Sequence, residues 1–285
     1  MSRRDAYHPL YGCELKLRRI QHHFEALQKA FDGFLGSDPY EIVHERHPER
    51  EEYVLWAKVR EEPPPEWSPI IGDVVHNCRS ALDHLAWQLV IRNNRKPSGS
   101  IAFPIFSKSP FDASLYPSAK EAEDALRRWN RQVKGIHDND VALIKRLQPY
   151  NVGKDSEIPV LSMLSDLSNW DKHREYLLTG QTLKGTTYRI RNPRDAQFWI
   201  SYQRPIGTFE HGTVVARVAF TATGSEPKMD VEVKVSFDIA FGEGSPLKGH
   251  GLKEVLITSA QHVNDIVFTF KDRLDRQDFS PPPLQ

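Results

Sequence analysis

Between residues 12 and 35 apolar side chains recur at steps of three and four. Leu17, Ile20, Phe24, Leu27, Phe31 and Phe34 predict an amphipathic helix that Gly36-Ser37-Asp38-Pro39 ends. Two β-favouring runs follow at 40–43 and 53–59, separated by a charged stretch over 44–52, which reads as a hairpin with a long polar loop. Pro63-Pro64-Pro65 is a stiff spacer that neither a helix nor a central strand accommodates. A long helix is predicted over 67–93, then a proline-containing ordered loop over 94–117. Shorter helices follow at 118–134 and 138–147, and another over 157–178 ending at Gly180.

After Gly180 the period changes from helical to two, with strands at 188–191, 198–202 and 214–221. The run 229–241 alternates most regularly. Met229, Val231, Val233, Val235, Phe237, Ile239 and Phe241 occupy the odd positions, and Asp230, Glu232, Lys234, Ser236 and Asp238 the even ones. That pattern predicts one antiparallel strand with its odd side chains inside and one wet face. A glycine-rich turn at 242–251 precedes a last helix carrying Leu252, Val255, Leu256, Val263, Ile266, Val267, Phe270 and Leu274, and the proline-rich tail 280–285 is expected to fray. Helices followed by strands and a closing helix define an α+β protein. The expected organisation is a helical bundle over 1–180 with an inserted hairpin at about 40–59, then an antiparallel sheet plus C-terminal helix over 181–285. The two parts are expected to pack as one unit, the last helix lying on the sheet or back on the bundle.

Composition narrows the function classes. Thirty-eight basic and 38 acidic residues cancel, which excludes a general nucleic-acid coat but leaves room for a local basic groove. With only Cys13 and Cys78, a disulfide framework is excluded and a reducing compartment is expected. No apolar run approaches a bilayer span, and the start leads into no signal-peptide core, so the expectation is a cytoplasmic protein with no membrane attachment.

The candidate chemistry lies on two helices. On the first, Val74, Val75, Cys78, Ala81, Leu82, Leu85, Ala86 and Leu89 share an apolar arc at about 100° per residue. The opposite arc holds Asp73, His76, Asn77, Arg79, Ser80, Asp83, His84 and Trp87, with Arg79 and Asp83 four apart and able to pair. From Gly72 to Trp87 there is no Lys, Glu or Gln, the residues that ordinarily fill a wet helix face. On the second helix Asp166, Asn169 and His173 share one face. Packing of the two polar faces against each other, over 71–90 and 160–176, is therefore expected. The same residues also read as an ordinary solvated face and a local ion-pair stripe near a helix end.

Arg79-Ser80-Ala81-Leu82-Asp83-His84 has the Arg-x4-His spacing that marks HEPN domains, and the chain resembles that family at these two positions. Over 67–178 it also resembles a group of uncharacterised bacterial and phage proteins. The stretches that carry this are His76-Asn77-Cys78-Arg79-Ser80-Ala81-Leu82-Asp83-His84, Phe103-Pro104-Ile105 and Asn169-Trp170-Asp171-Lys172-His173-Arg174. The HEPN resemblance implies metal-independent RNA cleavage at a dimer cleft, with no cofactor and RNA as partner. Arg79 would stabilise the phosphorane and His84 move a proton, supported by His76, Asn77, Ser80, Asp83, Asp166, Asn169 and His173. Ser80 stands where the enzymes usually carry Asn, Asp or His. The first reading is thus a HEPN-like RNA-processing or defence-related protein, and the alternative is a non-catalytic interaction or regulatory module built on a structural polar network.

A metal-dependent hydrolase is the third reading, with His76, Asp83, His84, Asp166 and His173 as ligands, although their spacing fits no strong template. Cys78 lies on the apolar arc, as inert thiols do, and the glycine-rich turn lacks a phosphate-loop pattern. Arg127, Arg128, Arg131 and Lys134 form either a solvated helix face or the wall of an RNA groove.

Overall fold

The computed structural model describes residues 8–152, 159–176, 178–182, 187–191, 196–202, 207–222, 230–234 and 237–276. The chain is α+β, with strands in antiparallel ladders and two compact units. One unit comprises residues 1–25, 69–174 and 255–285; the other comprises 26–68 and 175–254. No helix among the described residues is long and apolar enough to cross a membrane.

The first unit is helical. It contains the N-terminal part of α1 (Tyr11–Gly36), nearly all of α2 (Trp67–Arg92), then α3 (Ala119–Gln132), α4 (Asp138–Arg146) and α5 (Val160–Asp171). Most of α6 (Leu252–Asp275) completes it. The apolar arc of α2 is its centre: Val74, Cys78, Ala81, Leu82, Leu85, Ala86 and Leu89 have no exposure and Val75 has 1%. Each such Leu or Val contributes about 1.5–3 kcal/mol of burial. Helix α3 is set by the Ser118 cap, whose side chain accepts from the Glu121 amide, and it buries Ala122, Ala125 and Trp129.

The buried face of α4 carries polar groups at its ends. Asp140, Ile144 and Gln148 follow at steps of four and all have no exposure. Asp140 meets Arg273 of α6 at 3.3 Å and Arg92 of α2 at 3.5 Å, each arginine side chain only 9% exposed. The last helix therefore belongs with the helical unit, where Lys271 also pairs with Glu14 of α1 at 2.7 Å.

The second unit holds the strands. β1 (Tyr40–His47) and β2 (Glu52–Val59) form the expected hairpin. Its strands extend further into the charged stretch than the residue preferences suggested, because ladder bonds run from Tyr40↔Val59 to His47↔Glu52. The hairpin joins later strands: β2 pairs with β7 (Val214–Ala222), and β7 with β5 (Ala196–Tyr202), giving a sheet of order β1-β2-β7-β5. A second sheet has the order β6-β3-β9, from β3 (Leu178–Thr182), β6 (Gly207–Phe209) and β9 (Phe237–Phe241). β4 (Thr187–Arg191) pairs with β8 (Asp230–Lys234). Tyr40, Phe209 and Phe237 form a ring cluster with centroids 5.1–5.6 Å apart. Gly180 makes room for it, since a Cβ there would lie 2.7 Å from Phe209 and 2.9 Å from Tyr40.

Two expectations are corrected here. The helix predicted to 178 ends at Asp171: His173 and Arg174 turn back onto the Trp170 carbonyl, and Leu178 already pairs with Phe241. The single strand predicted over 229–241 is two strands in different ladders, β8 on β4 and β9 on β3. Val235 and Ser236, like Met229 and the tail 280–285, lie outside the described residues. In β9 the alternation is also lost, because Ile239, Ala240 and Phe241 are all fully buried.

Candidate functional site

The polar side of α2 divides into three places rather than one. Arg79 and Asp83 turn toward the loop that follows α2. The Arg79 guanidinium forks onto the Asp83 carboxylate, with Nη2 2.7 Å from Oδ1 and Nε 3.2 Å from Oδ2. Nη2 also donates to the Phe103 carbonyl at 2.6 Å, and the Phe103 amide donates to Asp83 Oδ1 at 2.9 Å. The pair thereby satisfies both backbone polar groups of one residue whose ring is fully buried. Further along the loop, Gln148 of the α4 end does the same work. Its amide donates to the Pro104 and Ile144 carbonyls at 2.9 and 3.0 Å and accepts from the Phe106 amide at 3.0 Å. Pro104 interrupts any regular ladder, so side chains supply what a strand partner would have supplied.

His84 lies five residues beyond Arg79, about 140° away around the helix, and packs on α1. A Cβ at Gly12 would fall 2.5 Å from two atoms of its ring. The half-buried imidazole accepts from the Gln88 amide at 3.3 Å. Burial, helped by the charge of Lys16, lowers its pKa below the ordinary 6.5, which favours the neutral ring.

The third place is the start of α2. Gly72 passes so close to α5 that a Cβ would meet the Asp171 carboxylate. Burial raises the Asp171 pKa, opposed by His76 and reinforced by Asp73. Asp73 lies 3.8 Å from His23 of α1, whose pKa is lowered mainly by burial. Asn77 is turned inward, donating to the Asp73 carbonyl at 2.7 Å, and is 8% exposed.

The two polar helices do approach each other, but through Gly72 and Asp171. The stripe expected to face α2 is largely exposed at Asp166, Asn169 and His173, as is His76, with the Asp166 carboxyl partly buried, while Ser80 is half-buried. Burial raises the Asp166 pKa. Asn169 accepts from Lys172 at 3.4 Å. The five residues considered as metal ligands are not drawn together, and among the described residues no three His, Cys, Asp or Glu side chains form a group able to hold a metal.

Cys13 and Cys78 are buried free thiols with pKa values pushed up by burial to about 12; the Cys13 thiol lies 3.4 Å from the Ala81 carbonyl. Sequence reasoning missed His23, Asp140, Gln148, Asp171 and Arg273. For Asp140 and Gln148 a signal existed, since both stand four residues from Ile144 on one helix face.

No protein-family model matches the chain, and no curated protein or solved structure matches it.

Proposed function

We propose that the helical unit is a non-catalytic interaction module in which the Arg-x4-His residues brace the fold. The observation that carries this reading is the closed network of Arg79, Asp83 and Phe103. A catalytic arginine must aim its donors at the place where transition-state charge develops, whereas the Arg79 fork is engaged by Asp83 and the Phe103 carbonyl. His84 faces α1 instead, filling the space that Gly12 leaves. The contact assigned to the module is self-association through α2, whose Trp87 and Ile91 stand four residues apart and are 39% and 46% exposed. A two-fold pairing of one helix with its own copy makes such a stripe complementary to itself.

The test is an RNA-cleavage assay with and without chelator on wild type, Arg79→Ala and His84→Ala, beside thermal melts and sedimentation. The module reading expects no cleavage by any of them, a lowered melting temperature in both variants, and a dimer that Trp87→Glu dissociates. Chelator-resistant cleavage that His84→Ala abolishes without loss of stability would establish the ribonuclease instead.

A further inference from the structure

We propose that the outer face of α3 binds single-stranded nucleic acid. A groove of about 750 Å³ opens there, lined by Arg127, Arg128, Arg131 and Tyr116, with Glu121 and Asp124 at its acidic positions. The acidic groups are already committed: Glu121 to the Ser118 hydroxyl at the helix start, and Asp124 to Arg127. Three arginines against two carboxylates leave one positive charge in excess; Arg128 and Arg131 are both exposed, and among the described residues Arg131 has no acidic partner. The groove is therefore electropositive in a chain whose total charge is zero.

Aromatic rings interleave with these cations. The Arg128 guanidinium lies over the Phe106 ring, 4.2 Å from its centroid, and Lys145 lies over Phe111 at 3.9 Å. Trp129 joins the two pairs, edge-on to Phe106 at 5.8 Å and to Phe111 at 5.2 Å. Stacking fixes the guanidinium plane while leaving its N–H edge free to fork onto a phosphate. Phe111 is 44% exposed, which leaves ring surface for a base. Exposed arginines beside one half-open ring, Phe111, match a single strand, which offers unstacked bases and charges together. An acidic peptide would use the arginines and ignore the rings. The placement does not rest on Arg79 or His84, so this inference stands or falls apart from the module reading.

The test is fluorescence anisotropy on the full chain with labelled 12-mers of deoxythymidylate and uridylate, at several salt concentrations. Expected are binding that weakens as salt rises, and a loss of at least about tenfold in Arg128→Gln/Arg131→Gln. The salt slope should be shallower by about 0.7 for each phosphate contact removed. Arg131→Gln alone, a change at an exposed side chain, keeps the test valid should the double variant melt early. Phe111→Ala should lose about fivefold or more at an unchanged salt slope, and His84→Ala should bind as wild type does. No binding at low salt, equal binding by the arginine variants, or equal competition by polyglutamate or by a mononucleotide would overturn the proposal.

Discussion

Asp83 Oδ1 and the Phe103 amide lie 2.9 Å apart although twenty residues separate them in the chain, and Arg79 completes the bracket on the Phe103 carbonyl. Removing the arginine leaves a buried carbonyl without its donor and a carboxylate without its partner. Arg79→Ala should cost about 2–3 kcal/mol, since hydrogen bonds to charged groups are the stronger class. Arg79→Lys should recover little of it, because an ammonium cannot fork onto Asp83 and reach Phe103 together. Urea unfolding of the two variants measures both quantities, and a Lys variant as stable as wild type contradicts the bracket.

Gly12 and His84 should be energetically coupled. Gly12→Ala places a methyl against the imidazole and should destabilise by about 1–3 kcal/mol, as over-packing does. In a His84→Ala background the same change should cost far less. A double-mutant cycle reads the difference directly, and additive effects would mean that the two residues do not share the space.

Asp140 holds two buried guanidinium groups. Asp140→Ala should cost about 3–5 kcal/mol, because it removes the buried carboxylate that both guanidinium groups face. Chemical denaturation checks this. A loss below about 1 kcal/mol would show the triad to be as weakly coupled as a surface pair.

Stability should fall as the solution is acidified below neutral. His23, His84 and His262, a half-buried residue of α6, all have folded pKa values below the ordinary 6.5, chiefly through burial. Between those folded values and 6.5 the unfolded chain binds more protons than the folded one, so stability rises with pH through that interval and is complete above it. Asp166 and Asp171, raised by burial, act the other way above their ordinary 3.8 and add to stability only as they take up protons. Melting temperature followed from pH 7.5 to 5.5 should therefore decrease, and His84→Gln should flatten the slope. A flat wild-type profile contradicts the burial of these rings.

What the sequence disclosed was whatever repeats at short range. The α2 arc from Val74 to Leu89 is fully legible in its 3.6-residue period, and all of it is buried. The pairing of Arg79 with Asp83 follows from a four-residue step. Their second partner, Phe103, is fixed by the path of a loop and leaves no periodic trace, and the same holds for Gly12 beneath His84. The alternation over 229–241 was misleading for a physical reason. A period of two reports which face a residue takes, not which neighbour its backbone pairs with, and β8 and β9 pair with different strands. The exposed stripe of Asp166, Asn169 and His173 shows the converse limit. Three polar residues on one face reveal a common direction, but solvent and a partner helix look alike from the sequence.

The side-chain bracket around residues 103–106 also governs when that segment can open. Its amides at Phe103 and Phe106 are tied to Asp83 on one helix and to Gln148 beyond another. Releasing them requires both anchors to let go, so their exchange with solvent deuterium should follow the opening of the helical core. In a stretch with no ladder of its own, slow amides at Phe103 and Phe106 beside a faster one at Ile105 would record that the loop keeps the time of the helices rather than of a coil.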